Sequence, residues 1–244
     1  MWAPPPDNLI LNDDEVHVWR AALDLTVSQV QHLKQTLSPD ELARAARFRF
    51  PKDRDHFIVA RGVLRTILGR YLGLEPSRLR FCYSPYGKPS LDRECGGDSL
   101  CFNLSHSHGL ALFAVTRDRE LGVDIEYLRR DLADEGIAQR FFSPPEVAAL
   151  SALPTGVRGV AFFNCWTRKE AYIKARGEGL SFPLDQFDVS LAPGEPAALL
   201  RTEGDPQEAS RWSLVALSPG ADYVAALVVR GHDWKLEGWQ WPGG

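Results

Sequence analysis

The sequence predicts an α/β (α+β) fold made of two related α/β halves in one chain, with the charged residues at their interface. Two observations predict it. A serine, a proline and an acidic first turn mark a helix start at 38–41 and again at 143–146, and each is followed by a second helix and then by strands. Strand-like alternation and helix-like spacing recur in both stretches. We place the halves at residues 1–118 and 119–244.

The first half reads as one early strand, then helices, then further strands. Residues 15–20 alternate in polarity, which is typical of a strand, and residues 54–72 carry an apolar stripe at helical spacing. The full prediction is a strand over 15–20, a helix over 27–37, a helix starting at 38, a helix over 54–72, and strands at 81, 100–103 and 111–115.

The second half repeats this order. It is predicted to hold a strand over 122–126, helical residues at 137–142, a helix starting at 143, a helix over 162–174, and strands over 187–191, 212–215 and 223–229. The tail beyond Pro193 carries no recognisable motif. We expect its tryptophans, Trp234, Trp239 and Trp241, to pack on the body of the protein or to meet a partner.

Composition favours an ordinary globular protein, with 44% hydrophobic and 25% charged residues among 244. The net charge of −4 gives no bulk attraction to nucleic acid. The 4 cysteines show no metal-like spacing, so we expect free thiols in a reducing cytosol. The N-terminus lacks signal-peptide features, and no apolar run reaches the roughly 18–20 residues that span a bilayer. A cytoplasmic protein without nucleic-acid or membrane partners is the expectation.

The first of two informative charged runs is Gly122-Val123-Asp124-Ile125-Glu126. On a strand, alternation buries Val123 and Ile125 and places both carboxylates on the opposite face. Neighbouring carboxylates raise each other's pKa unless a cation lies between them, and Mg²⁺ prefers such oxygen ligands. Taken alone, the run equally fits an exposed edge strand with two solvated acids.

The second run, residues 166–174, has helical spacing. Glu170 and Lys174 are four residues apart and share one face, and Trp166 lies one turn before them. Taken alone, they fit a surface ion pair worth a few tenths of a kcal/mol. Together, the two runs supply three carboxylates and the ammonium groups of Lys169 and Lys174, a set suited to a Mg²⁺-bound diphosphate.

The first half adds a cluster of cations. Eight basic residues lie between 44 and 70, opposed only by two aspartates: Arg44, Arg47, Arg49, Lys52, Arg54, Arg61, Arg65 and Arg70. Guanidinium groups match phosphate oxygens, so Arg47 and Arg61 are predicted phosphate contacts, and about half of the cluster is assigned to a solvated helix face.

Four motifs occur in one order: Tyr86-Gly87-Lys88-Pro89, Asn103-Leu104-Ser105-His106-Ser107, Gly122 to Glu126, and Trp166-x-x-Lys169-Glu170-Ala171-x-x-Lys174. In this ordered set the chain resembles the 4′-phosphopantetheinyl transferases, in particular the large monomeric class typified by the surfactin synthetase enzyme. The resemblance spans roughly residues 38–190.

The resemblance implies a pseudo-twofold monomer that transfers the phosphopantetheine arm of coenzyme A to a serine of an apo acyl- or peptidyl-carrier protein. Adenosine 3′,5′-bisphosphate is released and Mg²⁺ is used. By similarity, Asp124, Glu126 and Glu170 hold the metal. Coenzyme contacts would come from Lys88, Pro89, Asn103, Ser105, His106, Lys169 and Lys174, beside Arg47 and Arg61. Glu170 is the candidate base, and Lys174 and Asp124 complete the catalytic set.

Two other functions fit part of the pattern. A metal-dependent nuclease or phosphodiesterase also uses acids beside a lysine, and would cleave nucleic acid with Mg²⁺ and without coenzyme A. A catalytically idle module would bind coenzyme A or a carrier protein without transfer. The presence of all three acids and Lys174 argues against the idle module.

Overall fold

The computed structural model describes residues 2–95, 99–129 and 135–243. The helices are α1 (Val27–Lys34), α2 (Pro39–Ala45), α3 (Pro51–Leu72), α4 (Glu135–Phe141), α5 (Pro144–Ala152) and α6 (Thr155–Arg176). The strands are β1 (Glu15–Ala22), β2 (Phe81–Tyr83), β3 (Pro89–Leu91), β4 (Leu100–Ser107), β5 (Leu110–Arg117), β6 (Leu121–Tyr127), β7 (Phe187–Val189), β8 (Leu199–Thr202), β9 (Trp212–Leu217), β10 (Tyr223–Arg230) and β11 (Lys235–Gln240).

The element order occurs twice along the chain. A strand, three helices, a short hairpin and two more strands run from β1 to β5, and the same series runs from β6 to β10. The sheets repeat as well: β1-β5-β4 and β6-β10-β9 have the same order, and all of these pairs are antiparallel. The predicted α/β fold with two related halves is confirmed.

The helices are also built alike in the two halves. In α2 and α5, the side chain of Glu41 or Glu146 accepts a hydrogen bond from the backbone N–H of the N-cap serine, which immediately precedes the helix. Helices α3 and α6 have 22 residues each and end at Gly73 and Gly177, whose φ angles are 63° and 76°. Glycine adopts this left-handed conformation without a Cβ clash, so it ends both helices at equivalent places.

The last strand crosses back to the first half. Strand β11 pairs in parallel with β1 and forms the edge of the first sheet, which makes its order β11-β1-β5-β4. The tail therefore packs on the body, and the rings of Trp239 and Trp241 lie 5.8 and 6.1 Å from those of His17 and Trp19. Sequence patterns missed this strand, and it means that residues 235–240 belong spatially to the first half.

Within the described residues, three apolar clusters hold the fold together. One lies between α3 and the first sheet, one between α6 and the second sheet, and the third lies between the two sheets. The third is lined by buried residues of both halves, among them Val18 and Leu112 from the first and Val123 and Leu227 from the second. The halves therefore share a core, which fixes the junction where β4 approaches β6. Among the described residues, no helix is long and apolar enough to cross a membrane.

Candidate active site

Strands β4 and β6 meet at the junction through side chains. Asn103 Oδ1 accepts a hydrogen bond from the Val123 backbone N–H at 2.9 Å. Further along β4, Ser105 Oγ donates to Asp124 Oδ1 at 2.7 Å, and Ser107 Oγ donates to Glu126 Oε2 at 2.9 Å. Alternate residues of β4 thus hold both carboxylates of β6 on one face.

Helix α6 lies directly against this strand. A Cβ on Gly122 would come within 2.1 Å of the Ala171 carbonyl oxygen, so only glycine permits this approach. Lys174 Nζ then lies 2.5 Å from Asp124 Oδ1 and donates to Ser105 Oγ at 2.9 Å. The two charged runs of the sequence are therefore brought together at the junction.

The acids exceed the positive charge beside them. Asp124 is only 3% exposed, and its Oδ2 atom is buried without a hydrogen-bond partner in the described part of the chain. Burial, reinforced by Asp124, raises the pKa of Glu126. Burial and then the charge of Asp124 raise the pKa of Glu170 to about 7, although Lys174 opposes the shift. Lys174 alone does not neutralise this site.

This donor set fits a hard divalent cation, although the described residues do not form a complete cage. Within residues 2–95, 99–129 and 135–243, no three His, Cys, Asp or Glu side chains are grouped closely enough to hold one ion. Mg²⁺ commonly takes one or two carboxylates and completes its shell with water and substrate phosphates. The free Asp124 Oδ2 atom and the mutual repulsion of three acids fit that kind of site.

Lys169 is not at the site. It is completely buried, pairs with Glu146 Oε2 at 2.7 Å, and donates to the carbonyls of Leu184 and Phe187. The prediction that Lys169 faces the phosphates is therefore wrong for this structure. Residues 169 and 170 are adjacent on α6 and point about 100° apart, so only one of them can face the junction.

Arg61 and Arg47 differ in their surroundings. Arg61 is 7% exposed, pairs with Glu41 Oε1 at 2.5 Å and donates to the Tyr83 hydroxyl at 3.3 Å. Arg61 shares this buried carboxylate with Arg65, so the contact of Arg61 to a phosphate stays a prediction. Arg47 is exposed, and with Arg44 it lines a cavity of about 590 Å³ next to Arg61. Arg47 remains available to an anion.

The other predicted coenzyme contacts differ in their surroundings. Lys88 Nζ donates to two carbonyls of the second half, Asn103 is buried between β4 and β6, and Pro89 begins β3. His106 is exposed, and partial desolvation by its neighbours, followed by the charge of Lys174, lowers its pKa. Of this group, His106 presents a side chain that a ligand can reach.

Two functional supports were missed from the sequence. Ser107 holds Glu126 as Ser105 holds Asp124, and the alternation within Asn103-Leu104-Ser105-His106-Ser107 was the available signal. Glu146 appeared only as an acidic residue in a helix start. It also accepts hydrogen bonds from the backbone N–H groups of Ser143 and Val189 at 2.8 Å each, so it is a buried anchor of the second half.

A duplicated α/β chain with buried acids and a lysine at its junction fits the class of enzymes that act on phosphate-bearing substrates. Family profiles agree with this class. The profile described as the 4′-phosphopantetheinyl transferase superfamily matches residues 120–228, and the one described as 4′-phosphopantetheinyl transferase, N-terminal, matches residues 22–117.

Individual relatives match over long stretches. The chain is 47% identical over 240 residues to the 4′-phosphopantetheinyl transferase HetI of Nostoc sp., which covers 98% of each protein. It is 31% identical over 169 residues to the 4′-phosphopantetheinyl transferase Sfp of Bacillus subtilis, covering 68% of this chain and 72% of Sfp. This chain belongs to the 4′-phosphopantetheinyl transferases.

Proposed function

We propose that this protein transfers the 4′-phosphopantetheine arm of coenzyme A to a serine of an apo acyl- or peptidyl-carrier protein and releases adenosine 3′,5′-bisphosphate. Family membership supports the reaction class. The observation that carries the site assignment is Asp124: its carboxylate is buried at the junction, with one oxygen held by Ser105 and Lys174 and the other without a partner among the described residues.

Mg²⁺ is the proposed metal, with Asp124, Glu126 and Glu170 as its candidate ligands. When bound, it would neutralise the acids and polarise the oxygens of the coenzyme's diphosphate. The ion needs only one or two of these carboxylates at a time, since water and phosphate oxygens can supply the rest. This leaves Glu170 open to a second role.

The chain's own groups account for the remaining steps. The carrier's serine hydroxyl attacks the phosphorus that bears the pantetheine arm, and its proton passes to the Glu170 carboxylate, directly or through water. A pKa of about 7 suits a base that works near neutrality. Negative charge grows on the phosphate oxygens as the leaving group departs, and the Lys174 ammonium, fixed by Asp124 and Ser105, stabilises it.

The coenzyme is proposed to lie along the junction towards the first half. His106 is exposed on β4 next to Ser105, and Arg47 lines the cavity next to α2 and α3. Guanidinium groups bind phosphate through paired hydrogen bonds, so Arg47 is the proposed contact to a phosphate remote from the reacting one.

The proposed active unit is a single chain in the cytoplasm. Both strands of the junction and the helix that completes it come from one chain, so the site needs no second copy. The 4 cysteines are all free, which suits a reducing compartment.

Intact-mass spectrometry of an apo carrier protein tests the proposal. After incubation with the enzyme, coenzyme A and Mg²⁺, the carrier should gain the mass of one phosphopantetheine on its serine. A carrier whose serine is replaced by alanine is the matched control and should stay unchanged. If apo acyl-carrier and peptidyl-carrier proteins all keep their original mass, the proposed transfer is wrong.

A further inference from the structure

Lys88 belongs to the first half, but its ammonium bonds to the second. Nζ donates to the Leu121 carbonyl in β6 at 3.2 Å and to the Ala175 carbonyl in α6 at 2.9 Å. We propose that Lys88 is a positioning residue that ties α6 to β6 and thereby sets Glu170 and Lys174 against Asp124. This inference rests on the proposed function, and it assigns Lys88 a role other than the coenzyme contact that the family resemblance implies.

The turn that carries Lys88 is itself fixed. The Lys88 backbone N–H donates to Ser84 Oγ at 3.1 Å, and its carbonyl accepts from the Ser84 N–H at 2.9 Å. Gly87 has a φ of 82°, which closes the turn, and its N–H donates to the Ser84 carbonyl at 2.9 Å. A side chain that starts from a pinned backbone loses less entropy when it makes a cross-half contact.

The two carbonyl acceptors lie where the helix and strand come closest. The Leu121 carbonyl is next to Gly122, at which a Cβ would come within 2.3 Å of the Ala175 backbone nitrogen. The last carbonyls of a helix have no partner within it and carry the negative end of its dipole, so an ammonium there is doubly favourable. Lys88 also packs beside the end of the helix, since a Cβ on Gly177 would meet its Cδ at 3.1 Å.

The reacting groups are close to these anchor points in sequence. Lys174 immediately precedes Ala175, and Glu170 lies on the same helix, while Asp124 follows Leu121 by three residues on the same strand. A shift of the end of α6 relative to β6 would therefore change the 2.5 Å contact between Lys174 and Asp124 directly. Burial also lowers the pKa of the Lys88 ammonium, consistent with its enclosed position between the halves.

The test compares Lys88→Met with Lys88→Arg. Methionine keeps the length of the side chain and removes all donors, whereas arginine keeps donors and charge. Lys235→Met is the matched control, because Lys235 is 72% exposed and its pairing with Asp14 lies away from the junction. The readouts are amide hydrogen exchange of residues 171–176 by mass spectrometry, and kcat and KM for coenzyme A in the carrier assay.

We expect Lys88→Met to speed exchange in 171–176 about tenfold and to lower kcat by a similar factor, as loss of one or two hydrogen bonds implies. KM for coenzyme A should change less than about twofold, and Lys88→Arg should recover part of both effects. A raised KM with unchanged kcat and exchange would make Lys88 a coenzyme contact and overturn the proposal, and so would unchanged values throughout. The exchange measurement needs no substrate, so it decides the positioning role even if carrier transfer is absent.

Discussion

The two halves share the same arrangement of helices and strands, and they differ in the side chains that this arrangement carries. Arg65 and Lys169 each lie 14 residues after the first residue of α3 or α6. Arg65 Nε is 2.6 Å from Glu41 Oε2, and Lys169 Nζ is 2.7 Å from Glu146 Oε2. The preceding short helix thus supplies a buried glutamate to the long helix in both halves, and this pair is structural in each.

Beyond that shared pair, the halves diverge. In the second half, Lys174 meets Asp124. The equivalent position on α3 is Arg70, whose guanidinium lies 5.5 Å from the Trp19 ring centre. Strand β1 presents His17 and Trp19 to the Tyr71 hydroxyl, with hydrogen bonds of 2.8 and 2.9 Å, where β6 presents acids.

The strand edges differ in the same way. The edge of β1 is covered by a backbone ladder from β11, whereas β6 meets β4 through serine and asparagine side chains. A ladder pairs the backbone groups of both strands and leaves no room for a ligand. The seam between β4 and β6, where the strands meet through side chains, instead offers polar groups that a ligand can bind. The halves therefore share one duplicated frame, and the polar groups of the proposed active site lie where β4 and β6 meet between them.

The largest effect is expected from Asp124→Asn. The amide keeps the shape of the side chain but removes the charge that holds Lys174 and faces the proposed metal, so turnover should fall by more than about 100-fold. The carrier assay measures this. Asp14→Asn removes an exposed acid far from the seam and should retain wild-type turnover. Near-normal turnover of Asp124→Asn would contradict the assignment of the reacting groups to the acids of β6.

Loss of the shared buried pair should reduce stability in either half. Lys169→Met leaves the buried Glu146 carboxylate without its cation, and Arg65→Met removes one of the two cations paired with Glu41. Each variant should lower the free energy of unfolding by about 3–5 kcal/mol. The loss should be smaller for Arg65→Met, because Arg61 still pairs with Glu41. Chemical denaturation measures the loss. The folded fraction of Lys169→Met should keep the wild-type KM for coenzyme A. A raised KM would indicate that Lys169 contacts the phosphates of the coenzyme after all.

Two glycines close to or within α6 give a matched pair. Gly122→Ala forces a Cβ against the Ala171 carbonyl and should cost about 1–3 kcal/mol and disturb turnover. Gly156→Ala meets no heavy atom within 4 Å and lies in the helix, so it should stabilise by about 0.4–1 kcal/mol. Thermal unfolding separates them, and equal melting temperatures would contradict the close approach of α6 to β6.

The smallest expected effect is on the pH dependence of stability, through His17 of the first half. Burial lowers the pKa of His17, despite the neighbouring acids Glu15 and Glu237, and its Nδ1 faces the Tyr71 hydroxyl. The unfolded chain therefore takes up this proton first, and His17 makes stability fall as pH drops through about 6.5. His17→Gln should flatten the loss of unfolding free energy between about pH 7 and 5. An unchanged slope would mean that His17 does not titrate on unfolding.

Local chemistry made much of the fold predictable. The serine-proline starts of α2 and α5 depend on neighbouring residues only, and alternation in residues 122–126 was enough to place both acids of β6 on one face. Strand β11 was missed because its partner β1 lies more than 200 residues away and pairing at that distance leaves no local signal.

The site was predicted less completely, for a similar reason. The convergence of Asp124 with Lys174 came from two motifs and a family resemblance. The sequence could not separate Lys169 from Lys174, since both are lysines on one helix and only the distant Glu146 draws Lys169 into the core. In the same way, Arg61 looked free until Glu41 was brought against it by α2.

Calorimetric titration of coenzyme A, with and without Mg²⁺, tests the central claim most directly. If the seam carboxylates hold the metal that grips the coenzyme's diphosphate, Mg²⁺ should tighten binding to the wild-type protein by at least about tenfold and have no effect on Asp124→Asn. An equal gain from Mg²⁺ in both proteins would show that the metal binds elsewhere and contradict the account.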